Sequence, residues 1–336
     1  MLILTVDLHG FKSLAPGRVV QRSKKILINM KNKPLLSVIV ANYNSLPYIA
    51  ECLDSILTQS FKELEILVYD DCSNDDSPGF IKEYEKKHPG KVRAIFSPTN
   101  RGVARTRHEA ILQAEGEYIT TLDSDDFYYE TRKLEKEIAL VRRFKEEQGE
   151  DVLAFSNILK VRSDSTIMER MGNTGNINEG KIFAGIISRD CMIPRDFVMK
   201  KEAYFEVGGY DFRLITHEDW DLKIRLAFCY EFRFTGIDGT AYRQHPTGLS
   251  SINHHLRTNN LYRVFHKNRE LIPGDSRKKI TSGFRNFIVN RDRGFRKGLI
   301  QGLAGTRGPG LIKKTGKFIY YLVLEFLIKA KWQIKA

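Results

Sequence analysis

Residues 37–44 read SVIVANYN, a β-branched run that ends in polar residues just before a helical pattern. Ile49, Leu53 and Ile56 then recur at the three- and four-residue spacing of a helix. The same order of strand, polar turn and helix repeats, with further strands predicted over 64–69, 92–96 and 118–122. This alternation predicts an α/β fold in which a mostly parallel sheet is flanked by helices on both faces.

Charge divides the 336-residue chain unevenly. Residues 256–336 contain 19 Lys and Arg against four Asp and Glu, a net charge of +15, whereas residues 1–255 have a net charge of -2. We therefore predict three parts: an N-terminal extension (1–33), an α/β domain (34–255) and a basic helical tail (256–336).

Polar residues follow three of the predicted strands. They are ANYN at 41–44, DDCS at 70–73 and DSDD at 123–126. Ligands of open α/β sheets bind outside the carboxyl ends of the strands, so these segments are candidates for a site. Each could also be an ordinary turn or helix cap. A Gly-rich phosphate loop is missing after the first strand, which argues against a dehydrogenase or a P-loop protein.

The acidic segment is the most informative of the three. Asp123, Asp125 and Asp126 put carboxylates within four residues, directly after an apolar strand. One or two carboxylates together with substrate phosphates commonly hold Mg²⁺ or Mn²⁺. The segment therefore points to a metal-bound diphosphate, with a capped helix N-terminus as an equally good interpretation of these four residues alone.

Over residues 36–251 the chain resembles glycosyltransferase family 2, whose members have the GT-A fold, a Rossmann-type nucleotide-sugar-binding domain. The resemblance rests on the order of the segments, because no single one is specific. The matching segments are 37–44 (SVIVANYN), 68–73 (VYDDCS), 100–107 (NRGVARTR), 116–126 (GEYITTLDSDD), 207–211 (VGGYD) and 217–222 (HEDWDL).

The resemblance implies a donor site for a nucleotide sugar, with UDP as the expected nucleotide. Asp71 matches the residue that binds the base, and Ala41 and Tyr43 line the same pocket. Arg107 matches the arginine near the nucleotide and its phosphates, and Asp123 matches the residue that contacts the ribose.

The resemblance also implies a divalent cation, Mn²⁺ or Mg²⁺. Asp125 matches the residue that ligates the metal, and Asp126 lies beside it without an assigned role. His245 matches a loop histidine that can contact the metal or the phosphates, although a structural role for it is equally possible. Arg243 is a secondary candidate for a phosphate contact.

For the acceptor side, the resemblance assigns the catalytic base to Asp219, at the start of a helix. Glu218 is the rival base, and Trp220 could line the acceptor site or belong to the core. Burial beside Trp220 is expected to raise the pKa of Asp219 toward a value useful for catalysis.

The tail mixes cations with aromatic residues. Its apolar run at 318–328 is too short to span a membrane and is flanked by lysines, which favours a helix lying on an anionic membrane surface. An amphipathic helix packed on the domain is the alternative. The four dispersed cysteines and the apolar run at 2–6, which is broken by Asp7 and His9, favour a cytoplasmic protein attached peripherally to the membrane.

These observations predict a metal-dependent, inverting glycosyltransferase that acts on a glycan or lipid-linked acceptor in surface polysaccharide assembly. A sugar nucleotidyltransferase is one alternative, but it should have a Gly-rich loop after its first strand. A nucleic-acid-binding protein that uses the basic tail is another, and it leaves the acidic strand ends without a role. We therefore expect no nucleic-acid partner.

Overall fold

The computed structural model describes residues 34–172, 178–245 and 254–304. The predicted N-terminal extension and the apolar run at 318–328 lie outside these residues. The strands are β1 (Leu36–Asn42), β2 (Leu64–Asp70), β3 (Val92–Phe96), β4 (Tyr118–Asp123), β5 (Phe127–Tyr128), β6 (Leu153–Arg162), β7 (Ile167–Met171), β8 (Met199–Lys200) and β9 (Phe232–Gln244). The α-helices are α1 (Leu46–Leu57), α2 (Ser77–Lys87), α3 (Val103–Gln113), α4 (Lys133–Gln148), α5 (Phe183–Ser188), α6 (Lys201–Glu206), α7 (Glu218–Cys229), α8 (His254–Asn268) and α9 (Arg277–Ala304).

The larger sheet has the strand order β3-β2-β1-β4-β8, with the first four strands parallel and β8 antiparallel to β4. Every residue of β1 and β2 is buried, as expected for a parallel sheet covered on both faces. Ala41 of β1 is paired with Tyr69 on one side and with Asp123 on the other. The α/β prediction is confirmed, and the polar ends of β1, β2 and β4 lie side by side.

A glycine allows β1 and β4 to come together closely. A Cβ atom on Gly116, just before β4, would lie 2.6 Å from the backbone nitrogen of Ser37. The Gly116 N–H donates to the Ser37 hydroxyl at 2.8 Å, and that hydroxyl donates to the buried Glu65 at 2.6 Å. Any side chain at position 116 would push β4 and its acidic end away from β1.

A second sheet, which the sequence analysis did not predict, has the order β5-β9-β6-β7. Its long strand β9 runs parallel to β6 and antiparallel to β5. Because β5 starts only one residue after Asp126, this pairing brings the end of β9 next to the acidic segment. An isolated bridge between Ala154 and Val198 connects the two sheets.

Helices α8 and α9, the first part of the basic tail, pack on the α/β core. The ring of Phe284 in α9 stacks on Phe265 of α8, with centroids 4.1 Å apart, and on Trp220 of α7, with centroids 6.0 Å apart. Both phenylalanines are buried in the same hydrophobic cluster as Ile39 of β1 and Leu67 of β2. None of the helices in the described part of the chain is long and apolar enough to cross a membrane.

Candidate active site

Three carboxylates lie where β4 ends. Asp123 is the last residue of β4, and ligand oxygens of Asp123, Asp125 and Asp126 all lie within 4.8 Å of one another. Their side chains differ in exposure, at 14%, 25% and 2% of the full value respectively. Because β4 is buried along its length, it holds this group of acids rigidly at the edge of the sheet.

The two predicted metal ligands come together although they are 120 residues apart. His245, directly after β9, has its Nε2 atom 2.8 Å from Oδ2 of Asp125. Carboxylate oxygen suits Mg²⁺ and Mn²⁺, and a neutral imidazole nitrogen can complete such a set. Asp125, the most exposed of the three acids, fits the predicted role of metal ligand better than its neighbours do.

Asp126 has a structural role. Its Oδ1 accepts the backbone N–H of Arg243 at 2.8 Å, and its Oδ2 accepts a hydrogen bond from Arg195 at 2.6 Å. Burial raises the pKa of Asp126 well above its usual value, and Arg195 opposes that shift. Because both of its oxygens accept hydrogen bonds, Asp126 connects the end of β9 to the end of β4.

Arg195 was missed by the sequence analysis. Its Nε atom lies 3.0 Å from Asp123, and its guanidinium stacks 4.3 Å from the centre of the Tyr242 ring. The hydroxyl of Tyr242 accepts the backbone N–H of Arg195 at 2.9 Å and donates to Asp196 at 2.6 Å. Arg195 lies between α5 and β8, in a segment without periodicity, so only the folded chain shows that it faces the acids.

Arg107, on α3, connects the acidic segment to the start of α7. Its side chain is almost fully buried, forming an ion pair with Asp123 and donating to Glu218 at 2.8 Å. Burial and Asp219 would raise the pKa of Asp123, but Arg107 and Arg195 outweigh them and lower it. In the protein without ligand the Arg107 guanidinium holds these two carboxylates in place beneath the surface, and its position near the nucleotide stays a prediction.

Glu218 and Asp219 open α7 and have different partners. Burial raises the pKa of Glu218, against the opposing effect of Arg107. Asp219 accepts a hydrogen bond from Lys223, one turn later, at 2.8 Å. Burial alone would raise the pKa of Asp219, but the Lys223 ammonium lowers it far below its usual value. The expected rise in the pKa of Asp219 is therefore wrong, and this carboxylate is ionised throughout the neutral range.

Trp220 belongs to the core, one of the two roles predicted for it. Only 1% of the residue is exposed, and its indole N–H donates to the backbone carbonyl of Ile186 at 2.7 Å. Stacking on Phe284 covers the ring. His217, which precedes α7, has a left-handed backbone with φ of 66°. This turn places Glu218 and Asp219 on the side of the acidic segment at 123–126.

The predicted base-binding residues gather at the ends of β1 and β2. Asp71 is buried, and its two oxygens accept the backbone N–H groups of Arg101 and Gly102, each at 2.8 Å. The Asp71 N–H in turn donates to the Asn42 carbonyl at 2.9 Å. Ala41 is nearly buried, whereas Tyr43 is 48% exposed and available to a ligand. Asp71 thus orders the loop before α3.

Arg243, predicted as a secondary phosphate contact, instead stabilises the protein frame of the site. Its guanidinium donates to the carbonyls of Asp125 and Ser163, each at 2.9 Å, and forms an ion pair with Glu51. The side chain is almost completely buried. These contacts fix the backbone of Asp125 and correct the prediction of a phosphate contact.

Solved structures of S. aureus TarS have a similar architecture. S. aureus TarS superposes with a TM-score of 0.57 at 20% identity, over 75% of this chain and 43% of that one. A shorter TarS in complex with UDP-GlcNAc gives a TM-score of 0.56 at 20% identity, over 84% of this chain and 80% of that one. At this level of sequence identity, the structural similarity shows that the two proteins share a fold.

The family follows from the sequence comparison. The model of glycosyl transferase family 2 matches residues 37–204, half of the chain, so the chain belongs to that family. Bacillus subtilis (strain 168) TuaG, named for teichuronic acid biosynthesis, is 38% identical over 106 residues, 32% of this chain and 41% of TuaG. EpsE of the same strain, named as a glycosyltransferase, is 29% identical over 218 residues, 64% of this chain and 74% of EpsE. The TuaG match thus spans less than half of that relative.

Proposed function

We propose that the protein transfers a sugar from a UDP-sugar to a hydroxyl of a glycan or lipid-linked acceptor in surface polysaccharide biosynthesis. The observation that carries the proposal is the Asp125–His245 pair, held at 2.8 Å beside Asp123 at the edge of the sheet. Membership of family 2, the fold shared with a UDP-GlcNAc-bound TarS and the name of TuaG support it.

On the donor side, Asp71, Ala41 and Tyr43 would hold the base, and Asp123 the ribose. Asp71 already uses both oxygens to order the loop at 101–102, so it supports the base pocket through that loop and its remaining lone pairs. Arg107 and Arg195 keep Asp123 ionised and oriented. The ribose hydroxyls would then meet a preformed acceptor rather than a mobile side chain.

The site residues fit a divalent cation. Asp125 and His245 would ligate it, since Asp125 is the most exposed of the acids and Asp126 is occupied by Arg195 and the Arg243 N–H. When bound, Mn²⁺ or Mg²⁺ would neutralise the charge that develops on the leaving diphosphate. The contact from Arg243 to the Asp125 carbonyl keeps this ligand in position.

On the acceptor side, Asp219 would take the proton of the attacking hydroxyl. In the resting protein Lys223 positions it and keeps it ionised, and loosening of this ion pair would raise its pKa and strengthen it as a base. Attack opposite the leaving diphosphate in a single displacement inverts the anomeric centre. Glu218, hydrogen-bonded to Arg107 and with a raised pKa, would support this arrangement.

The last part of the proposal is that the tail binds a membrane surface. The lysine-flanked apolar run at 318–328 would bind an anionic surface and keep the enzyme near a lipid-linked acceptor, peripherally on the cytoplasmic side.

Donor binding tests the proposal directly. UDP-GlcNAc and other nucleotide sugars are added to the full-length protein with and without Mn²⁺, and thermal stabilisation and donor hydrolysis are measured. We expect stabilisation and slow hydrolysis with a UDP-sugar and metal, and neither with metal alone. A protein that responds to no nucleotide sugar in the presence of Mn²⁺ or Mg²⁺ would refute the proposal.

A further inference from the structure

Arg195 faces the acidic segment with part of its side chain still open to solvent. Its Nε atom lies 3.0 Å from Oδ2 of Asp123, and its Nη2 group donates to Oδ2 of Asp126 at 2.6 Å. An arginine has five N–H donors, and these contacts use two of them. Among the described residues, none accepts a hydrogen bond from the Nη1 group, and 30% of the side chain is exposed. Arg195 can therefore bind a further anion while it holds both acids.

The order of the strands places Arg195 on a particular side of Asp123. Strands β2, β1, β4 and β8 lie in this order across the larger sheet. Asp71 follows β2, Asp123 ends β4, and Arg195 precedes β8. The Thr121 hydroxyl donates to the Arg195 carbonyl at 3.1 Å, so the chain before β8 passes beside the end of β4. A nucleotide with its base near Asp71 and its ribose at Asp123 would continue, through its phosphates, toward Arg195.

On the other side, the segment that carries Arg195 is connected to the candidate base. The Lys223 ammonium donates to the carbonyl of Ile193 at 2.9 Å and to Asp219 at 2.8 Å. Lys223 thus joins the backbone two residues before Arg195 to the carboxylate that would take the acceptor proton. Because the sugar-linked phosphate of a donor lies between its ribose and the acceptor, this arrangement brings that phosphate beside Arg195.

Tyr242 fixes the position of Arg195. The guanidinium carbon of Arg195 lies 4.3 Å from the centre of the Tyr242 ring. The backbone N–H of Arg195 donates to the Tyr242 hydroxyl at 2.9 Å, and that hydroxyl donates to Asp196 at 2.6 Å. Asp196 is buried, with a carboxylate oxygen 3.3 Å from the buried Lys133 ammonium. Since the guanidinium is held before a ligand arrives, binding a phosphate would cost it little side-chain freedom.

We propose that Arg195 binds the donor phosphate that is bonded to the transferred sugar. The inference rests on the proposed function, because it assigns a further residue to the donor of that same site. In the proposed displacement, the acceptor oxygen forms a bond to the anomeric carbon and gives its proton to Asp219. The bond from that carbon to the phosphate oxygen breaks, and its electron pair stays on the phosphate. A guanidinium N–H directed at this oxygen would stabilise the charge that the oxygen gains.

The experiment compares UDP with UMP, because the two differ by the phosphate that Arg195 would contact. Calorimetric titrations in Mn²⁺ use the full-length protein, Arg195→Gln and the control Arg132→Gln, since Arg132 is an exposed arginine before α4. Arg195→Gln should lose at least about tenfold in affinity for UDP and change by less than about twofold for UMP, because a charged hydrogen bond to one phosphate is removed. Arg132→Gln should bind both nucleotides as the unchanged protein does.

A merely structural role of Arg195 would give a different pattern. If the guanidinium acted only by orienting Asp123 toward the ribose, UDP and UMP would weaken by the same factor, and that result would overturn the inference. Unchanged UDP affinity in Arg195→Gln would overturn it as well. Binding of Mn²⁺ without nucleotide, followed by electron paramagnetic resonance, should stay the same or become tighter in this variant, because a positive charge beside the acids is gone. A variant that loses Mn²⁺ would show that Arg195 acts through the metal ligands, contrary to the inference.

Two milder variants keep the test decisive if thermal unfolding shows that Arg195→Gln does not fold. Arg195→Lys keeps the charge without the planar fork, and Tyr242→Phe removes the hydroxyl that accepts the Arg195 N–H. Each should weaken UDP binding about two- to fivefold and leave UMP binding unchanged, and equal losses for the two nucleotides would overturn the inference.

The same titrations separate this inference from the proposed function. An unchanged protein that binds neither UDP nor any nucleotide sugar in Mn²⁺ would refute both together. A protein that binds UDP, but whose Arg195 variants treat UDP and UMP alike, would refute only the inference.

Discussion

The acids at the end of β4 and the acids at the start of α7 are both held by cationic side chains, but with opposite results. At β4, Arg195 occupies Asp126 and leaves Asp125 exposed beside a histidine. At α7, Glu218 is hydrogen-bonded to Arg107, and Asp219 to Lys223. The first arrangement leaves a carboxylate beside a histidine for an incoming cation, whereas the second pairs a carboxylate with an ammonium group and keeps it ionised. We call the acids at the end of β4 the donor half of the proposed site and the acids at the start of α7 its acceptor half. Substitutions in the donor half should lower the affinity for UDP, and substitutions in the acceptor half should lower turnover.

The largest effect is expected from Asp125→Ala, in the donor half. Removing the most exposed carboxylate should reduce the affinity for UDP in the presence of Mn²⁺ by at least about 100-fold, because even indirect changes to a metal site cost 10- to 100-fold. Titration calorimetry with and without Mn²⁺ measures it. Asp76→Ala, at an exposed position before α2, is the control. If UDP binds equally well to the Asp125 variant, the metal assignment is wrong.

The second-largest effect is expected in the acceptor half, and it should change turnover alone. Asp219→Asn keeps the size of the side chain but removes the base, so turnover should fall at least about 100-fold while the affinity for UDP is retained. Initial rates of sugar transfer and UDP titrations on the same variant measure the two quantities. If Glu218→Gln abolishes turnover and Asp219→Asn does not, the catalytic base is Glu218 and the assignment of Asp219 is wrong.

A smaller effect should come from Lys223→Met. Without the ammonium, burial raises the pKa of Asp219, so a higher pH is needed to ionise the base. The acid limb of the turnover profile should then move to higher pH by about one pH unit or more. Rates measured from pH 4 to 9 show it, with the exposed Lys87→Met as the control. An acid limb that stays in place would mean that Asp219 does not control the profile.

The smallest effect on the site itself is expected from removing residues 312–336. UDP affinity should stay the same, whereas binding to vesicles with anionic lipid should weaken at least about tenfold, because surface lysines contribute about 1 kcal/mol each. Sedimentation with anionic and neutral vesicles measures this binding. High salt should weaken it only partly, since apolar burial also contributes. A full-length protein that ignores anionic vesicles, or binds RNA with a steep salt dependence, would contradict the membrane proposal.

The acidic segment at the edge of the sheet could be located from the sequence because its residues are local to strands with a clear pattern. Strands 64–69, 92–96 and 118–122 were predicted to within one residue of their ends, and acids directly follow the first and the last of them. The acceptor half could not be predicted to the same extent. The pKa of Asp219 depends on Lys223, one turn away. Burial raises this pKa and the lysine lowers it, and the sequence does not reveal which effect is larger.

Contacts between distant segments account for what the sequence could not show. Arg195 reaches Asp123 and Asp126 from an irregular segment about 70 residues later, positioned by Tyr242 of β9. Trp220 lies in the same short segment as the candidate base but turns into the core, because Phe284 of α9 covers it. Neither orientation follows from the order of residues along the chain, since each depends on a partner contributed by a later element.

The stack of Phe265, Phe284 and Trp220 has a practical consequence for work with shortened chains. A chain cut at residue 255, where the charge pattern changes, would lose both phenylalanines and leave the Trp220 face of α7 exposed to water. Large aromatic side chains contribute about 3–5 kcal/mol each when buried, a sizeable part of the stability of an ordinary domain. Expression of the catalytic domain alone should therefore extend at least through Asp292, and earlier end points should give aggregating protein.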